Sequence, residues 1–350
     1  MKSTDLKLSI CIATFNRGRF IAETLDSIIP QIDSSVELIV VDGASSDNTF
    51  EIMSGYLQNY PEIKYYREEI NSGVDVDYDK AVSYAKGDYC WLFSDDDLMK
   101  PGAVLAVLKS IRESFSEVIV VNSEVRNIDF SEVYMERLLD FSQDKKYSSS
   151  EAESFFKDMA SYLSFIGAVV IKRQTWLARD RESYYGSLFI HVGVIFQAPP
   201  LVKATIIANP FIMIRYGNAM WSARAFEIWT FKWPNLIWSF ISFSDESKAK
   251  ITSREPRKNL SRLFRNRALG AFSSEEIHNL WPNKASALEL LMAHLIAVFP
   301  RALANILSII YLLMKKNKNQ MALQDLIACK HSSFLSKFFV KTFKIVGMPK

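Results

Sequence analysis

Short apolar runs alternate with segments of helical periodicity along the first third of the chain, and this alternation limits the fold more than any other feature. Runs of strand length lie at residues 8–13, 36–41, 63–67, 89–93 and 118–122. Between them, apolar residues recur at intervals of three and four, as on one face of a helix. Strands that alternate with helices of about 10–15 residues form right-handed crossovers and a mostly parallel sheet. We therefore predict a Rossmann-like α/β fold with helices flanking the sheet.

The remainder of the chain does not keep this alternation. Further strands are predicted at 165–172 and within 201–215, where Asn209 and Pro210 separate two apolar runs. A buried helix is predicted at 186–197, and beyond Tyr216 the pattern becomes helical. We divide the chain into a first domain at 1–220 and a helical C-terminal region at 221–350.

Polar clusters follow three of the predicted strands, at 14–17, 42–47 and 94–97. In open α/β sheets the ligand binds beyond the carboxyl ends of the strands, so these clusters mark the expected site. Asp42 alone would be a turn residue. One crossover away from the carboxylates at 95–97, it becomes a candidate acceptor for hydroxyl donors of a ligand.

Three consecutive carboxylates, Asp95, Asp96 and Asp97, directly follow the apolar strand at 89–93. Adjacent carboxylates repel one another unless they are neutralised. A single aspartate in a turn would need no explanation. Three in a row are better explained by a hard divalent cation, Mg²⁺ or Mn²⁺, held by one or two carboxylates together with substrate phosphates. The alternative is a solvated acidic turn that caps the helix after Pro101.

Several classes of protein are excluded by composition and by the motifs that are absent. None of the twelve glycines forms G-x-G-x-x-G and no P-loop is present, which excludes a dinucleotide-dependent oxidoreductase of the usual kind. No nucleic-acid recognition motif accompanies the basic residues. Three cysteines without close pairing exclude a disulfide scaffold, and no secretory signal is seen, so we expect a reducing compartment.

The order and spacing of five motifs resemble the family 2 glycosyltransferases of the GT-A fold. The motifs are LSICIATFN at 8–16, VVDGASSDNT at 40–49, NSG at 71–73, AKGDY at 85–89 and WLFSDDDLMKP at 91–101. Together with IKRQTW at 171–176 and FIHVGVIF at 189–196, they look most like the abequosyltransferase branch. Enzymes of that branch add a 3,6-dideoxyhexose to a lipid-linked O-antigen unit.

The resemblance implies a nucleotide-sugar donor and a set of residues that bind it. Asp42 would contact the nucleotide base, and the segment around Thr14 and Phe15 would line the base pocket. Asn16 and the acidic loop at 71–79, which lies near the same edge, complete the predicted donor site. The full set of residues predicted to bind the nucleotide sugar is Thr14, Phe15, Asn16, Asp42, Asn71, Asp75 and Asp95.

The resemblance also implies the cation site. Asp95 would approach the ribose, Asp96 would ligate the Mg²⁺ or Mn²⁺ that bridges the diphosphate, and Asp97 would support this site. The family usually has an acidic residue where this chain has Ser94. Where many relatives have Ala-Arg-Asn after the Asn-x-Gly motif, this chain reads Asp-Tyr-Asp at 77–79.

Inverting members of the family carry a catalytic Asp or Glu just before a hydrophobic helix. The matching segment at 187–193 contains no acid, and His191 occupies the place. His191 is predicted either as the general base or as a further metal ligand, while a hydrogen-bonded core histidine is the alternative. Asp180 and Glu182 are rival bases. The missing carboxylate leaves inversion and retention both open.

Charge is distributed unevenly along the chain. Residues 1–150 hold 15 Lys and Arg against 26 Asp and Glu, and residues 151–350 hold 27 against 13, although the whole chain has a net charge of only +3. Apolar and basic residues occupy opposite helical faces at 301–315 and 334–346, with Lys315, Lys316 and Lys318 between the two segments. Basic amphipathic helices favour anionic lipid headgroups. The alternative is packing on the catalytic domain or in a homodimer.

These features together predict a metal-dependent glycosyltransferase that moves a sugar from a nucleotide-sugar donor to a lipid-linked oligosaccharide. We expect a cytoplasmic protein that is peripheral on the inner face of the cell membrane and does not bind nucleic acid. The alternative is a catalytically degenerate GT-A protein that serves as a scaffold for polysaccharide assembly. Ser94 and the missing acidic base favour that alternative.

Overall fold

The computed structural model describes residues 7–218, 224–281, 285–314 and 320–342. The chain divides into two compact units, Met1–Tyr216 with Ser239–Ile251, and Gly217–Trp238 with Thr252–Lys350. The predicted domain boundary after residue 220 falls on residues that the structure does not describe. So do several residues of the predicted basic amphipathic segments, namely Lys315, Lys316, Lys318, Phe343 and Lys344.

The first unit is built on a ten-stranded sheet. The strands are β1 Leu8–Thr14, β2 Val36–Asp42, β3 Lys64–Arg67, β4 Tyr89–Phe93, β5 Leu98–Met99, β6 Val118–Arg126, β7 Val133–Met135, β8 Lys145–Ser148, β9 Val169–Lys172 and β10 Lys203–Arg215. Their order is β3-β2-β1-β4-β9-β6-β10-β5, with β7 beside β6 and β8 beside β10.

Parallel pairing joins β3, β2, β1 and β4, and it also joins β6 to β10. Strand β9 runs antiparallel between β4 and β6. Every residue of β1, β2 and β4 is buried, as a continuous apolar run predicts for a strand covered on both faces. The predicted α/β class, with a mostly parallel sheet flanked by helices, is confirmed.

Helices of the first unit connect and cover these strands. They are α1 Ile21–Ile28, α2 Thr49–Asn59, α3 Val74–Tyr84, α4 Ala103–Ser114, α5 Ala152–Met159, α6 Arg173–Ala178 and α7 Ile190–Phe196. One core cluster joins β1 and β4 to α1 and α4 through residues such as Ile12, Phe93, Leu25 and Val107. On the other face, α3 packs against β1 and β2.

Three predicted boundaries need correction. The strand predicted at 165–172 begins only at Val169, because residues 166–168 form a turn of 3₁₀ helix. The two runs within 201–215 form one strand, and Pro210 lies in an irregular stretch of it, where a residue without an N–H is tolerated. The helix predicted from residue 186 begins at Ile190, because Leu188 has a left-handed backbone with φ of 70°.

Helices make up the described part of the second unit, apart from short turns. The remaining α-helices within the described residues are α8 Ala225–Glu227, α9 Trp233–Ser239, α10 Asp245–Ile251, α11 Leu260–Leu269, α12 Ser274–Leu280, α13 Ala287–Val298, α14 Arg301–Met314, α15 Gln320–Ala328 and α16 Phe334–Thr342. Of these, α10 belongs to the first unit. No single described helix is both long and apolar enough to cross a bilayer, whereas α13 and α14 pass that test as a pair bent by 98°.

Candidate functional site

The carboxyl ends of β2, β1 and β4 lie side by side, because β1 pairs in parallel with both neighbours. Thr14 at the end of β1 is in register with Asp42 at the end of β2. Strand β4 ends at Phe93, immediately before the aspartate turn at 94–97. The structure therefore brings the three predicted polar clusters to one edge of the sheet.

Asn16 fastens the loop after β1 to the loop after β2. Its backbone N–H donates to Ser45 Oγ at 2.8 Å, and its Oδ1 accepts the backbone N–H of Ser46 at 2.8 Å. The left-handed backbone of Asn16, with φ of 54°, is a conformation that asparagine tolerates better than most residues. Among the residues predicted to line the base pocket, Phe15 is half-buried and Thr14 is buried.

Arg17 forms ion pairs with both of the first two aspartates of the turn. Its Nε lies 3.4 Å from Asp95 Oδ1 and its Nη2 lies 3.0 Å from Asp96 Oδ2. The three side chains are only 12–14% exposed. Arg17 was not among the predicted site residues, although its position directly after Asn16 on the same edge was a usable signal.

Asp95 is held in an environment that disfavours its charge. Burial and the neighbouring carboxylate of Asp96 raise the pKa of Asp95 to about 7, while Arg17 and the Thr14 hydroxyl oppose this rise. One guanidinium therefore does not fully compensate the two carboxylates. The site therefore still favours an additional positive charge.

Both carboxylate oxygens of Asp97 accept hydrogen bonds from within the protein. Its Oδ1 accepts the backbone N–H of Arg215 at 2.7 Å, and its Oδ2 accepts a hydrogen bond from the Ser94 hydroxyl. Burial, followed by repulsion from Asp96, raises its pKa well above the ordinary value. Because both oxygens have protein partners, Asp97 supports the turn, and Ser94 serves that support rather than acting as a missing ligand.

Arg215 holds the aspartate turn from the end of β10, and sequence reasoning did not single it out. Its guanidinium donates to the carbonyls of Asp96 at 2.8 Å and Ile128 at 2.5 Å, and it pairs with Glu23 at 2.6 Å. The side chain is 3% exposed. It also stacks on the ring of Phe130, with 4.2 Å between the guanidinium carbon and the ring centroid.

Asp42 has no exposed surface, and both of its carboxylate oxygens are occupied. Oδ1 accepts the backbone N–H of Ser45 at 2.8 Å and Oδ2 accepts the Tyr65 hydroxyl at 2.6 Å. In this arrangement Asp42 shapes the loop after β2. A direct contact with a nucleotide base requires Tyr65 or this loop to move.

Asp77 lies beside this loop on α3. A Cβ added at Gly43 would lie 2.6 Å from Asp77 Oδ2, so only glycine fits at position 43 without displacing the carboxylate. Burial raises the pKa of Asp77 to about 6, and nearby Glu68 and Asp42 add to the rise against the effect of Lys80. Asp77 belongs to the segment at 77–79, where this chain departs from the family pattern. Its carboxylate adds negative potential to the same edge of the sheet.

The carboxylate of Asp75 lies at the start of α7, the helix whose own sequence has no acid at the expected place. Its two oxygens accept the backbone N–H groups of Leu188 at 2.8 Å and Ile190 at 3.0 Å, at the start of α7. This contact spans more than a hundred residues, so no local motif could reveal it. Asn71 is exposed and accepts the backbone N–H of Gly73 at 2.8 Å.

His191 is buried in α7 and only 1% exposed. Its Nε2 is 2.7 Å from the Leu163 carbonyl, while Nδ1 is buried without a hydrogen-bond partner in the part of the chain that the structure describes. Burial lowers the pKa of His191 to about 4, so the ring is neutral at pH 7. The rival bases Asp180 and Glu182 are exposed on a turn after α6.

The side chains at the end of β4 fit a divalent cation that is completed by the ligand. Asp95 and Asp96 are adjacent, partly buried and incompletely neutralised. Among the described residues, no group of three or more His, Cys, Asp or Glu side chains could hold a metal alone. Two carboxylates together with phosphate oxygens are the coordination that Mg²⁺ commonly takes.

Stabilisation by Mn²⁺ is expected to grow as the pH rises from about 5.5 to about 8. The folded protein holds a proton on Asp95 up to about pH 7, whereas an unfolded Asp loses it near pH 4. The stability that this proton contributes is present below pH 4 and is lost as the pH rises towards 7. A cation that binds the ionised pair restores it.

Thermal unfolding with and without excess Mn²⁺ across this pH range measures the effect. The variant D88N is the matched control, because Asp88 precedes β4 at its opposite end and its side chain is 60% exposed. D88N should follow the parent, and D95N should lose the pH dependence. An equal Mn²⁺ shift at every pH in the parent would contradict this assignment.

Comparisons with known proteins agree with this geometry. The model of the family "Glycosyl transferase family 2" matches residues 9–167. Abequosyltransferase RfbV of Salmonella typhimurium is 28% identical over 225 residues, which cover 60% of this chain and 67% of that protein. A GalNAc(5)-diNAcBac-PP-undecaprenol beta-1,3-glucosyltransferase of Campylobacter jejuni is 27% identical over 113 residues, covering 32% of this chain and only 37% of that protein.

A solved structure has the same fold. The crystal structure of residues 1–349 of TarS from S. aureus, in complex with UDP-GlcNAc, superposes with a TM-score of 0.53 at 15% identity. The superposition covers 87% of this chain and 81% of that one. At this identity the likeness shows the fold alone, and it is the GT-A fold that the sequence predicts.

Proposed function

Because the chain belongs to family 2 of the glycosyltransferases, we propose that it transfers a sugar from a nucleotide-sugar donor to a lipid-linked glycan of a bacterial surface polysaccharide. We further propose that the reaction depends on Mg²⁺ or Mn²⁺ and takes place at the inner face of the cell membrane. The observation that carries this proposal is the partly buried Asp95–Asp96 pair at the same sheet edge as Asp42.

Breaking the bond between sugar and nucleotide builds negative charge on the departing diphosphate. A divalent cation bound there supplies Lewis-acid stabilisation of that charge. Asp95 and Asp96 would hold the cation, and Arg17 partly neutralises the same two carboxylates from the protein side. Asp97 and Arg215 fix the backbone of the turn, so that the carboxylate pair is preorganised.

We propose that the loops after β1 and β2 bind the donor. Phe15 is half-buried, and Asn16 holds the loop at 45–46 beside the loop after β1. We propose that Asp42 acts chiefly by positioning this loop, because its own oxygens are occupied. Asn71 is exposed near the same edge and is available to the donor.

We propose that the start of α7, where the sequence predicts the catalytic base, forms part of the acceptor side of the site. His191 bonds the Leu163 carbonyl through Nε2, so we propose that it positions α7 rather than ligating the cation. Asp75 holds the first turn of the same helix. A histidine with a pKa of about 4 is a weak base at neutral pH, which argues against direct proton transfer to its ring.

A thermal-shift screen is expected to identify the donor class. UDP-, GDP-, CDP- and dTDP-sugars, including a 3,6-dideoxyhexosyl donor, are tested with and without Mn²⁺. One nucleotide class should raise the melting temperature in the presence of Mn²⁺, because a ligand that binds only the folded state stabilises it. The same donor should release its nucleotide when a lipid-linked acceptor is added.

The screen also tests the scaffold alternative. D88N, altered at the opposite end of β4, should respond to the donor as the parent does. If no donor shifts the melting temperature and none is consumed, the protein is not an active transferase, and the scaffold alternative replaces this proposal.

A further inference from the structure

The polar side of α14 faces into the second unit, and the apolar side faces out. Asn305 is fully buried, donating from Nδ2 to the Leu326 carbonyl at 2.8 Å and accepting the Ser336 hydroxyl on Oδ1 at 2.7 Å. Ala304 beside it is also fully buried. The exposed side chains of this helix include Leu303, Leu307, Tyr311 and Met314, which are 49–81% exposed. The two faces predicted from the sequence exist, but the polar one is buried, together with the apolar side chain of Ile309.

Two further helices of this unit also direct large apolar side chains outward. Helix α13 buries Ala293 and Ala297 and exposes Leu288, Leu291, Leu295 and Val298. Helix α16 buries Ser336, which bonds Asn305, and exposes Phe334, Leu335 and Phe338. On each helix the exposed apolar side chains recur at helical spacing, so each forms a face rather than a scatter of single residues.

Among the described residues of these three helices, Ile309 and Val340 are the large apolar side chains that are buried. A helix of a protein in water buries most of its large apolar side chains, so the outward majority here is unusual. Helices in lipid instead pack on small residues and on hydrogen-bonded Asn and Ser, and direct their leucines towards the acyl chains. Eleven large apolar side chains on α13, α14 and α16 are exposed in this way. Exposed apolar faces of this size mark a surface that another apolar phase covers.

Charge indicates which phase covers it. Residues 287–350 hold nine Lys and Arg against two Asp and Glu. Lys315, Lys316 and Lys318 follow α14 directly in the sequence. Apolar faces within a basic segment match a leaflet with anionic headgroups, because the apolar side chains enter the acyl region while the cations stay at the headgroups.

The dimensions of the helices fit insertion into one leaflet. Helices α13 and α14 have 12 and 14 residues, or about 18 and 21 Å at 1.5 Å per residue, against a hydrocarbon core about 30 Å thick. The 98° bend between them lets both helices lie at the interface of the bilayer rather than cross it.

We propose that the outward apolar faces of α13, α14 and α16 insert into an anionic phospholipid leaflet and hold the protein there. The inference deepens the proposed function, since a lipid-linked acceptor is presented at a membrane.

Vesicle flotation of the full chain tests this surface. The probes are vesicles of phosphatidylcholine alone and of phosphatidylcholine mixed with phosphatidylglycerol. The parent should float with the mixed vesicles and remain bound in part at high salt, because apolar insertion is not screened. The double variant L303S/L307S should bind at least about tenfold more weakly, since two exposed leucines lose their burial in lipid.

L105S is the matched control, because Leu105 on α4 is a leucine of the first unit that is 67% exposed, against 51% and 49% for Leu303 and Leu307. It should float as the parent does. Both variants remove only exposed side chains, so their melting temperatures and the donor-induced thermal shift should stay at parental values. Loss of the donor shift in the parent would refute the proposed function and leave the flotation result standing.

Three outcomes would overturn the insertion. The parent could fail to float with either vesicle, or L303S/L307S could float like L105S. Light scattering could also show a parent dimer without lipid that the double variant converts to a monomer, with no binding to vesicles. That last result would assign the faces to contact between copies of the chain.

Discussion

Replacing Asp96 with Asn is expected to lower kcat/KM for sugar transfer by roughly 10²–10³-fold, the size of effect seen when one preorganised electrostatic contact to a developing anion is lost. Asp96 Oδ2 lies 3.0 Å from Arg17 Nη2, and the side chain sits directly beside that of Asp95. Asn keeps the volume of the side chain and removes its charge. The variant should therefore fold, yet hold a divalent cation poorly.

The control and a second readout separate this effect from damage to the fold. D88N changes the same residue type at the opposite end of the same strand and should keep parental activity. Mn²⁺ titration by calorimetry should show weakened binding in D96N alone. If D96N transfers sugar at the parental rate, the carboxylate pair is not the cation site.

Replacing Arg215 with Ala is expected to lower the free energy of unfolding by about 3–5 kcal/mol, the range for removing one partner of a buried charged network. The guanidinium is 3% exposed, and its loss leaves the carbonyls of Asp96 and Ile128 without their donor. Its pair with Glu23 adds less, because that carboxylate is 55% exposed. Lysine should recover little, since it lacks the planar fork that reaches both carbonyls.

Urea denaturation followed by circular dichroism measures this change. R112A is the control, because Arg112 is exposed near the end of α4, and it should change the free energy of unfolding by less than about 0.5 kcal/mol. A loss in R215A no larger than that in R112A would show that the aspartate turn holds its shape without Arg215.

The strands and their common edge could be predicted because local pattern determines them. The apolar runs of β1, β2 and β4 are buried throughout, and parallel pairing then places Thr14 and Asp42 in register without any further information. The aspartate turn was predictable for the same reason, since it follows directly from the end of β4. The metal-binding role of Asp95 and Asp96 stays a prediction.

Contacts between distant parts of the chain could not be predicted. Asp75 meets residues 188–190 across more than a hundred positions, and Asp97 bonds the backbone of Arg215 across 118. The sequence shows that each of these aspartates exists but not that its oxygens are already occupied. Occupancy depends on tertiary packing, which no local spacing encodes.

The orientation of α14 illustrates a second limit. Its periodicity separates Asn305 and Ser308 from Leu303 and Leu307 correctly, but the pattern alone does not tell which face is covered. Here α14 buries Asn305 against α15 and α16, where Leu326 and Ser336 satisfy its amide group.

The irregular stretch around Pro210 decides where β10 aims its last residue. Between the pairs Ile207–Val121 and Arg215–Arg126, β10 advances eight residues while β6 advances five. Side chains alternate between the two sides of a strand. The three extra residues of β10 are an odd number, so the side chains after this stretch point to the opposite side from where an unbroken pairing would place them. Deleting one residue from this stretch would keep the strand apolar and paired, yet turn the guanidinium of Arg215 towards the opposite side of the sheet. The hold of Arg215 on the aspartate turn therefore depends on the number of residues in a stretch of β10 several positions before it.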